Sequence, residues 1–340
     1  MTEIELSTAE AELYDRQIRL WGIESQEKLR AANVLLIGVR GLGSEIAKNI
    51  LLSGINSLTV LDNGIVTEEE LQKNFLLNQE SMGSNIAEAI LTKAQALNPL
   101  VKLTTETEPV SEKPDKYFQT FTIVVATGLS SKQLVRIDSI CRNSNVQFIC
   151  GDVFGMFGYS LADFQEHEFY EDQVKLPTKT KRTHEGKPTE TSEKTTVKIQ
   201  RKLSYPPIDQ VLPTSEKKIV KSGVPGKTKR CNELYYLMRL LIQFRDQNNR
   251  DPSFNSKEDD LKKLKEIREE IIHRYQVNEE KLREDVFNLI FGEVVPVCAV
   301  VGGVIAQEVI KAVSHKEVPI HNLFLLNPYN FCGKEQIVGA

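Results

Sequence analysis

An apolar run that ends in glycine is the clearest structural signal in the first part of the chain. Residues 34–38 (VLLIG) predict a buried strand, and residues 44–54 place their apolar side chains on one helical face. A second apolar run at 58–62 ends in Asp62, which lies 19 residues after Gly43. Strand, glycine turn, helix, strand and terminal acid together predict a βαβ dinucleotide-binding unit, with the acid spaced to meet a ribose hydroxyl.

The alternation of strand and helix patterns continues along the chain. Strands are predicted at 121–126 and 147–151, and helices at 84–96 and 131–142. This alternation predicts an α/β fold with a Rossmann-like, mostly parallel sheet. Later segments predict an edge strand at 195–203, helices at 232–244, 257–275 and 303–313, and a closing strand at 322–326.

A change of composition in the middle of the chain indicates its domain organisation. Residues 175–230 carry 15 Lys and Arg against 5 Asp and Glu, a charge of +10, whereas the whole chain has a net charge of −4. Because 176–194 holds few apolar residues to offset the entropy of ordering, a disordered basic loop is predicted there. We predict an N-terminal part at 1–165, a helical, partly disordered insert at 166–290, and a C-terminal completion of the first part at 291–340.

Composition disfavours several classes of protein. The longest stretch without charged or strongly polar residues is 294–306, which has 13 residues and is shorter than the roughly 18 that a membrane span needs. The five cysteines are odd in number and form no CxxC pair, so neither a disulfide framework nor a zinc ribbon is predicted. Basic clusters at 179–182 and 227–230 leave nuclear import, polyanion binding and a solvated linker open as alternatives.

The glycine turn itself departs from the pattern of a functional dinucleotide site. In G-x-G-x-x-G the second glycine lets the backbone approach the pyrophosphate, and Arg40 stands at that position here. Since an arginine can also pair with phosphate, the turn alone does not decide whether a nucleotide binds. One interpretation keeps Gly38 and Gly43 for the tight turn and for helix packing, with the pocket lost.

Several segments together resemble the activating enzymes of ubiquitin-like modifiers. Within that family the chain is most similar to the small, regulatory subunits of heterodimeric SUMO-activating enzymes, and the resemblance covers nearly the whole chain. It is carried by YDRQIRLWG at 14–22, GVRGLG at 38–43, GDVFG at 151–155, HEF at 167–169 and PVCAVVGGVIAQE at 296–308.

The resemblance implies ATP- and magnesium-dependent adenylation of the C-terminal glycine of a modifier, and it gives the departures from the family pattern a meaning. The family's Asn-x-x-Arg-Gln segment corresponds to Glu70, Lys73 and Asn74, and its phosphate-binding Lys corresponds to Ile86. No Asp between 124 and 137 can supply the expected magnesium ligand. A carboxylate repels a triphosphate and an isoleucine cannot neutralise it.

The resemblance therefore implies a degenerate nucleotide site in this chain. Its cofactor-site residues are expected to be structural relics, and ATP and magnesium are expected to bind mainly to a partner subunit. No metal site is predicted in this chain. The relics are Gly38, Gly41, Gly43 and Asp62.

Arg16 is the catalytic candidate that the resemblance implies. In the family the Arg of Tyr-Asp-Arg-Gln crosses a pseudo-symmetric dimer and contacts phosphates in the partner's site, as an arginine finger. From the residues alone, ordinary surface pairing of Arg16 and Arg19 with Asp15 and Glu24 is favoured, and only the resemblance favours the catalytic role of Arg16; Arg19 is expected to be structural or interfacial. Cys298 lies in an apolar run without a nearby cation, which favours a buried structural thiol over a thioester-forming one.

The expected function is the non-thioester subunit of a heterodimeric SUMO-activating enzyme, inactive alone and located in the nucleus with some in the cytoplasm. Its expected partners are SUMO and a larger catalytic subunit that carries the thioester cysteine and zinc, with no membrane and no nucleic acid. The alternatives are an NAD-dependent oxidoreductase, a self-sufficient homodimeric adenylyltransferase and a regulatory subunit for another ubiquitin-like modifier. The oxidoreductase is disfavoured because no catalytic grouping is evident among the five histidines.

Overall fold

A computed structural model describes residues 8–175, 195–212, 231–327 and 332–339 of the chain. The predicted disordered loop at 176–194 and the basic clusters lie outside these residues. In the described part, eight strands form one sheet in the order β10-β9-β6-β5-β4-β1-β2-β3. The strands of this sheet are β1 Asn33–Ile37, β2 Ser57–Leu61, β3 Lys102–Glu106, β4 Ile123–Ala126, β5 Gln147–Phe154, β6 Phe157–Asp163, β9 Leu323–Asn327 and β10 Cys332–Gln336.

The sheet is parallel from β3 through β2, β1 and β4 to β5. The pairs β5 with β6, β6 with β9, and β9 with β10 are antiparallel. This is the mostly parallel, Rossmann-like α/β sheet that the sequence predicts. The C-terminal strands β9 and β10 extend the sheet of the first part of the chain, whereas the domain boundaries themselves stay a prediction.

Helices cover both faces of the sheet, because successive side chains of a strand point to opposite faces. Leu35 and Ile37 of β1 join one apolar cluster, and Val34 and Leu36 join the other. The longer helices of the described residues are α4 Gly41–Leu52, α9 Ser131–Asn143, α11 Glu233–Asn248, α12 Lys257–Tyr275 and α13 Val295–Ser314. The first cluster packs against α9, α11 and α12, and the second against α4 and α13.

Shorter elements complete the fold. The predicted strand at 195–203 is confirmed as β8 Thr195–Ser204, which pairs antiparallel with β7 Glu166–Lys175 in a separate two-stranded ribbon. The predicted helix at 84–96 is divided into two helices. The short helices are α1 Thr8–Leu13, α2 Asp15–Trp21, α3 Ile23–Arg30, α5 Glu68–Lys73, α6 Ile86–Ala89, α7 Leu91–Leu97, α8 Asp115–Phe118 and α10 Ile208–Val211.

The start of α13 is the clearest difference from the predicted elements. The helix begins at Val295, eight residues before the predicted position 303, because a proline is tolerated in the first helical turn, where Pro296 lies. Gly302 allows α13 to approach α4, since a Cβ at this position would lie 2.8 Å from Cβ of Glu45. At the neighbouring Gly303, a Cβ would meet nothing within 4 Å among the described residues, so this glycine is not needed for the approach.

The apolar character of α13 reflects its place in the core. By length and composition the helix would suffice to cross a membrane, with a mean hydropathy of 1.6, but 61% of the segment that meets this test is buried inside the protein. Cys141, Cys150, Cys231 and Cys298 are free thiols and all are buried.

Candidate functional site

The glycine turn between β1 and α4 is built as the dinucleotide pattern predicts. Gly38 has a φ of +82°, a region that favours glycine, and a Cβ at this position would collide with Thr127. A Cβ at Gly43 would collide with the carbonyl oxygen of Gly38. Both glycines therefore have a steric role in the turn and in helix packing that requires no ligand.

The first turn of α4 is occupied by a carboxylate from a distant part of the chain. Leu42 N–H donates to Oε1 of Glu293 at 3.1 Å. A Cβ at Gly41 would lie 3.1 Å from Oε2 of Glu293, so this glycine makes room for the carboxylate. A helix N-terminus attracts anions because its first N–H groups are unpaired and the helix dipole is positive there. In a nucleotide site of this type, the pyrophosphate lies at this position.

Lys73 at the end of α5 connects Glu293 to two further acids. Its Nζ lies 3.0 Å from Oε2 of Glu293, 3.3 Å from Oε1 of Glu70 and 3.1 Å from Oε1 of Glu69. Arg40 lies farther away, with Nη1 3.8 Å from Oε1 of Glu70. We call these five side chains the turn cluster: Arg40, Glu69, Glu70, Lys73 and Glu293.

Burial and charge shift the pKa values of the turn cluster. Glu70 is only 5% exposed, and this desolvation raises its pKa despite the charges of Lys73 and Arg40. Burial lowers the pKa of Lys73, but the nearby carboxylates of Glu293 and Glu70 outweigh it, and the net pKa is raised. Lys73 is therefore charged and its charge is engaged by acids of its own chain.

Asp62, the predicted ribose-binding acid, has backbone partners for both oxygens. Oδ2 accepts from Val39 N–H at 2.9 Å, and Oδ1 accepts from Gly64 N–H at 2.8 Å. Asn74 also holds this loop, since its Nδ2 donates to the carbonyl of Val39 at 2.7 Å. Ile86, which stands at the family's Lys position, is buried in the apolar core. These residues maintain the loop by contacts within the chain.

A cavity of about 880 Å³ lies beside the turn and the β2 end. Arg245 of α11 forms part of its opposite wall, where it donates to Asp152 at 2.8 Å and to Asp251 at 2.6 Å. The cavity is large enough for a nucleotide, but the residues at its phosphate end do not fit ATP, since the carboxylates of Glu69 and Glu293 line it there. Among the described residues, no group of three His, Cys, Asp or Glu side chains is arranged to hold a metal ion.

Three of the four side chains of the N-terminal motif at 14–17 are held by contacts within the chain. Tyr14 is buried and accepts from Nδ2 of Asn98 at 2.8 Å. Asp15 pairs with Arg19 at 3.0 Å, and Gln17 donates to the carbonyl of Leu52 at 3.5 Å. Arg16 is exposed and has no hydrogen bond or ion pair with any residue the structure describes. It is also not one of the described residues that line the cavity.

Cys298 is buried, as predicted, and lies near the turn cluster. Burial, together with the charge of Glu293, raises the pKa of its thiol, so the nucleophilic thiolate is disfavoured.

Neither the role of Glu293 nor that of Arg245 follows from the sequence pattern. The one signal for Glu293 is its position, as a single acid two residues before a long apolar helix.

The chain is similar to known proteins over nearly its whole length. The ThiF family model matches residues 14–336. SUMO-activating enzyme subunit 1 of Homo sapiens is 40% identical over 328 residues, which cover 95% of this chain and 93% of that protein. The Xenopus tropicalis protein of the same name is 38% identical over 347 residues, covering 99% of this chain and 98% of that protein.

A solved structure shares the fold at low identity. The crystal structure of PaaA aligns with a TM-score of 0.56 and 13% identity, covering 99% of this chain and 76% of that chain.

We predict that Lys73→Met destabilises the chain by about 3 to 5 kcal/mol at pH 7, because it leaves the buried carboxylate of Glu70 and the partly buried carboxylate of Glu293 without the ammonium that pairs with both. In the variant, Glu70, whose pKa is already raised by burial, is expected to hold a proton in the folded state that the unfolded chain releases above about pH 4. The loss of stability should therefore grow as the pH rises from about 5 to 8. Urea unfolding at several pH values measures it.

Lys262→Met is the control for that measurement. Lys262 pairs with Asp259 on the exposed surface of α12, so removal of its charge should change stability by about 0.5 kcal/mol or less. If both substitutions changed stability equally and independently of pH, the prediction that stability depends on the charge of Lys73 would be contradicted.

Proposed function

The chain belongs to the ThiF family and, within it, to the SUMO-activating enzyme subunit 1 proteins, and from this premise we propose that it is the non-thioester subunit of a heterodimeric SUMO-activating enzyme. Its partner is a larger subunit that binds ATP and magnesium, adenylates the C-terminal glycine of SUMO and carries the thioester cysteine and zinc. The chain is one half of a ligase and is inactive alone. We also propose that it works in the nucleus, with some in the cytoplasm.

The observation that carries this proposal is the carboxylate of Glu293 on the first turn of α4. A phosphate cannot share that position with a carboxylate that is bonded to Leu42 N–H and paired with Lys73. Adenylation requires that ATP phosphates be held and their developing charge neutralised, and the negative charges at this end of the cavity oppose both. The reaction therefore belongs to the partner's site.

The same observation weighs against an NAD-dependent oxidoreductase, because a dinucleotide also places its pyrophosphate at the start of this helix. It weighs equally against a self-sufficient homodimeric adenylyltransferase, in which each copy would need an intact phosphate site. Buried Cys298 is consistent with a thioester cysteine on the partner.

Arg16 is the residue through which we propose that this chain contributes to the partner's reaction. Its neighbours in the 14–17 motif are held by contacts within the chain, whereas Arg16 extends from the surface. It lies between two exposed apolar residues, Leu13 at 52% and Leu20 at 71% exposure, and one helical turn separates it from Leu20. An exposed cation flanked by apolar side chains is suited to an interface, where its guanidinium can stabilise negative charge on departing phosphates.

We predict that the isolated chain does not catalyse ATP:pyrophosphate exchange in the presence of SUMO, whereas the complex with the larger subunit does. The physical reason is that the phosphate end of its own cavity is closed by acids. Exchange of radiolabelled pyrophosphate into ATP measures the rate. A rate for the isolated chain comparable to that of the complex would refute the assignment of the active site to the partner.

We predict that Arg16→Ala leaves the heterodimer assembled but slows SUMO adenylate formation by about 10² to 10³-fold, the cost of removing one donor to transition-state charge. Arg19→Ala is the matched control, because Arg19 is an exposed arginine of the same helix whose charge is engaged by Asp15. Single-turnover thioester formation on the partner reports the rate, and size-exclusion chromatography reports assembly. Full activity of Arg16→Ala would remove Arg16 from the mechanism.

A further inference from the structure

The contacts of Glu293 are those that a bound phosphate would make. One oxygen accepts a backbone N–H from the first turn of α4, and the other pairs with the ammonium of Lys73. Helix N–H groups and a lysine are the usual partners of a nucleotide phosphate. Arg40, at the N-cap of α4, contributes no side-chain cap, so Glu293 supplies the anion that this helix end favours.

The backbone holds Glu293 at this position. Glu293 is separated from Leu42 by 251 residues, and it is brought to the turn by a short bridge between Gly155 and Glu293 next to the end of β5. Gly155 N–H donates to the carbonyl of Gly292 at 2.6 Å, which fixes the residue just before Glu293. The helix α13 begins two residues later, at Val295. The carboxylate is therefore positioned by the sheet and by a long buried helix.

The turn cluster holds more negative than positive charge. Its three carboxylates, Glu69, Glu70 and Glu293, face two cations, Arg40 and Lys73. Oε2 of Glu70 is buried and has no hydrogen-bond partner among the described residues, so its negative charge is only partly compensated. A further anion is therefore excluded both by occupancy, through Glu293, and by charge, through Glu70.

We infer that Glu293 is a built-in substitute for a nucleotide phosphate and is the residue that determines the exclusion of polyphosphates from this chain. The start of α4 is accordingly a latent site for an anion of the phosphate or pyrophosphate class, made of the N–H groups of the first turn, Lys73 and Arg40. This inference rests on the proposed function, in which the chain's own site takes no part in adenylation.

The test is the binding of inorganic pyrophosphate to the full chain, measured by isothermal titration calorimetry. The variant Glu70→Gln/Glu293→Ala removes both the excess charge and the side chain that fills the site. Its matched control, Glu70→Gln/Glu293→Gln, has the same charge but keeps a side chain of the same size against Leu42 N–H. The first variant should bind pyrophosphate at least about tenfold more tightly than the control and the wild-type chain, which corresponds to one hydrogen bond to a charged group.

Thermal unfolding with and without pyrophosphate covers the case in which the first variant is unstable. Since a ligand that binds the folded state raises the unfolding temperature, pyrophosphate should stabilise this variant and leave the control unchanged. Equal affinities of the two double variants, or no binding and no stabilisation of the first, would overturn the inference. Those results would leave the proposed function intact, which fails instead if the isolated wild-type chain catalyses ATP:pyrophosphate exchange.

Discussion

The carboxylate of Glu293 on the first turn of α4 is the contact on which the rest of the site depends. It fills the position that a βαβ unit reserves for phosphate, and through Lys73 it ties the turn to α5. The steric need for glycine at position 41 follows from it, since a side chain there would meet the carboxylate. The chain thus keeps the backbone of a nucleotide-binding unit while its own side chains supply the negative charge that a ligand would bring.

This arrangement explains how, in the proposed function, the chain retains a family fold while adenylation takes place in the partner's site. Hydrogen bonds within the chain connect Asp62 and Asn74 to the glycine turn. They hold the loops at the carboxyl ends of β1 and β2 in place without a ligand. Arg16, in contrast, is exposed and has no partner among the described residues, so its guanidinium is available for the proposed contact with the partner's site. The exposed N-terminal helices thus present a cation and apolar side chains at the surface.

Local patterns predicted the βαβ unit and the helix Lys257–Tyr275 because periodicity and turn residues are properties of neighbouring positions. The start of α13 lies eight residues before the predicted one, because the first helical turn tolerates Pro296. The resemblance to the modifier-activating enzymes implies a degenerate pocket through Glu70, Lys73 and Ile86, but it does not point to Glu293. Glu293 meets Leu42 across 251 residues, and such a contact is set by the packing of β5 and α13, which no local pattern records.

The number of ATP molecules bound by the assembled heterodimer tests the central claim most directly. Equilibrium dialysis with a non-hydrolysable ATP analogue and magnesium measures this number, with the isolated chain measured in parallel. Because the phosphate end of this chain is occupied by its own carboxylate, the account predicts one analogue molecule per heterodimer and none on the isolated chain. Two molecules per heterodimer, or one on the isolated chain, would contradict it.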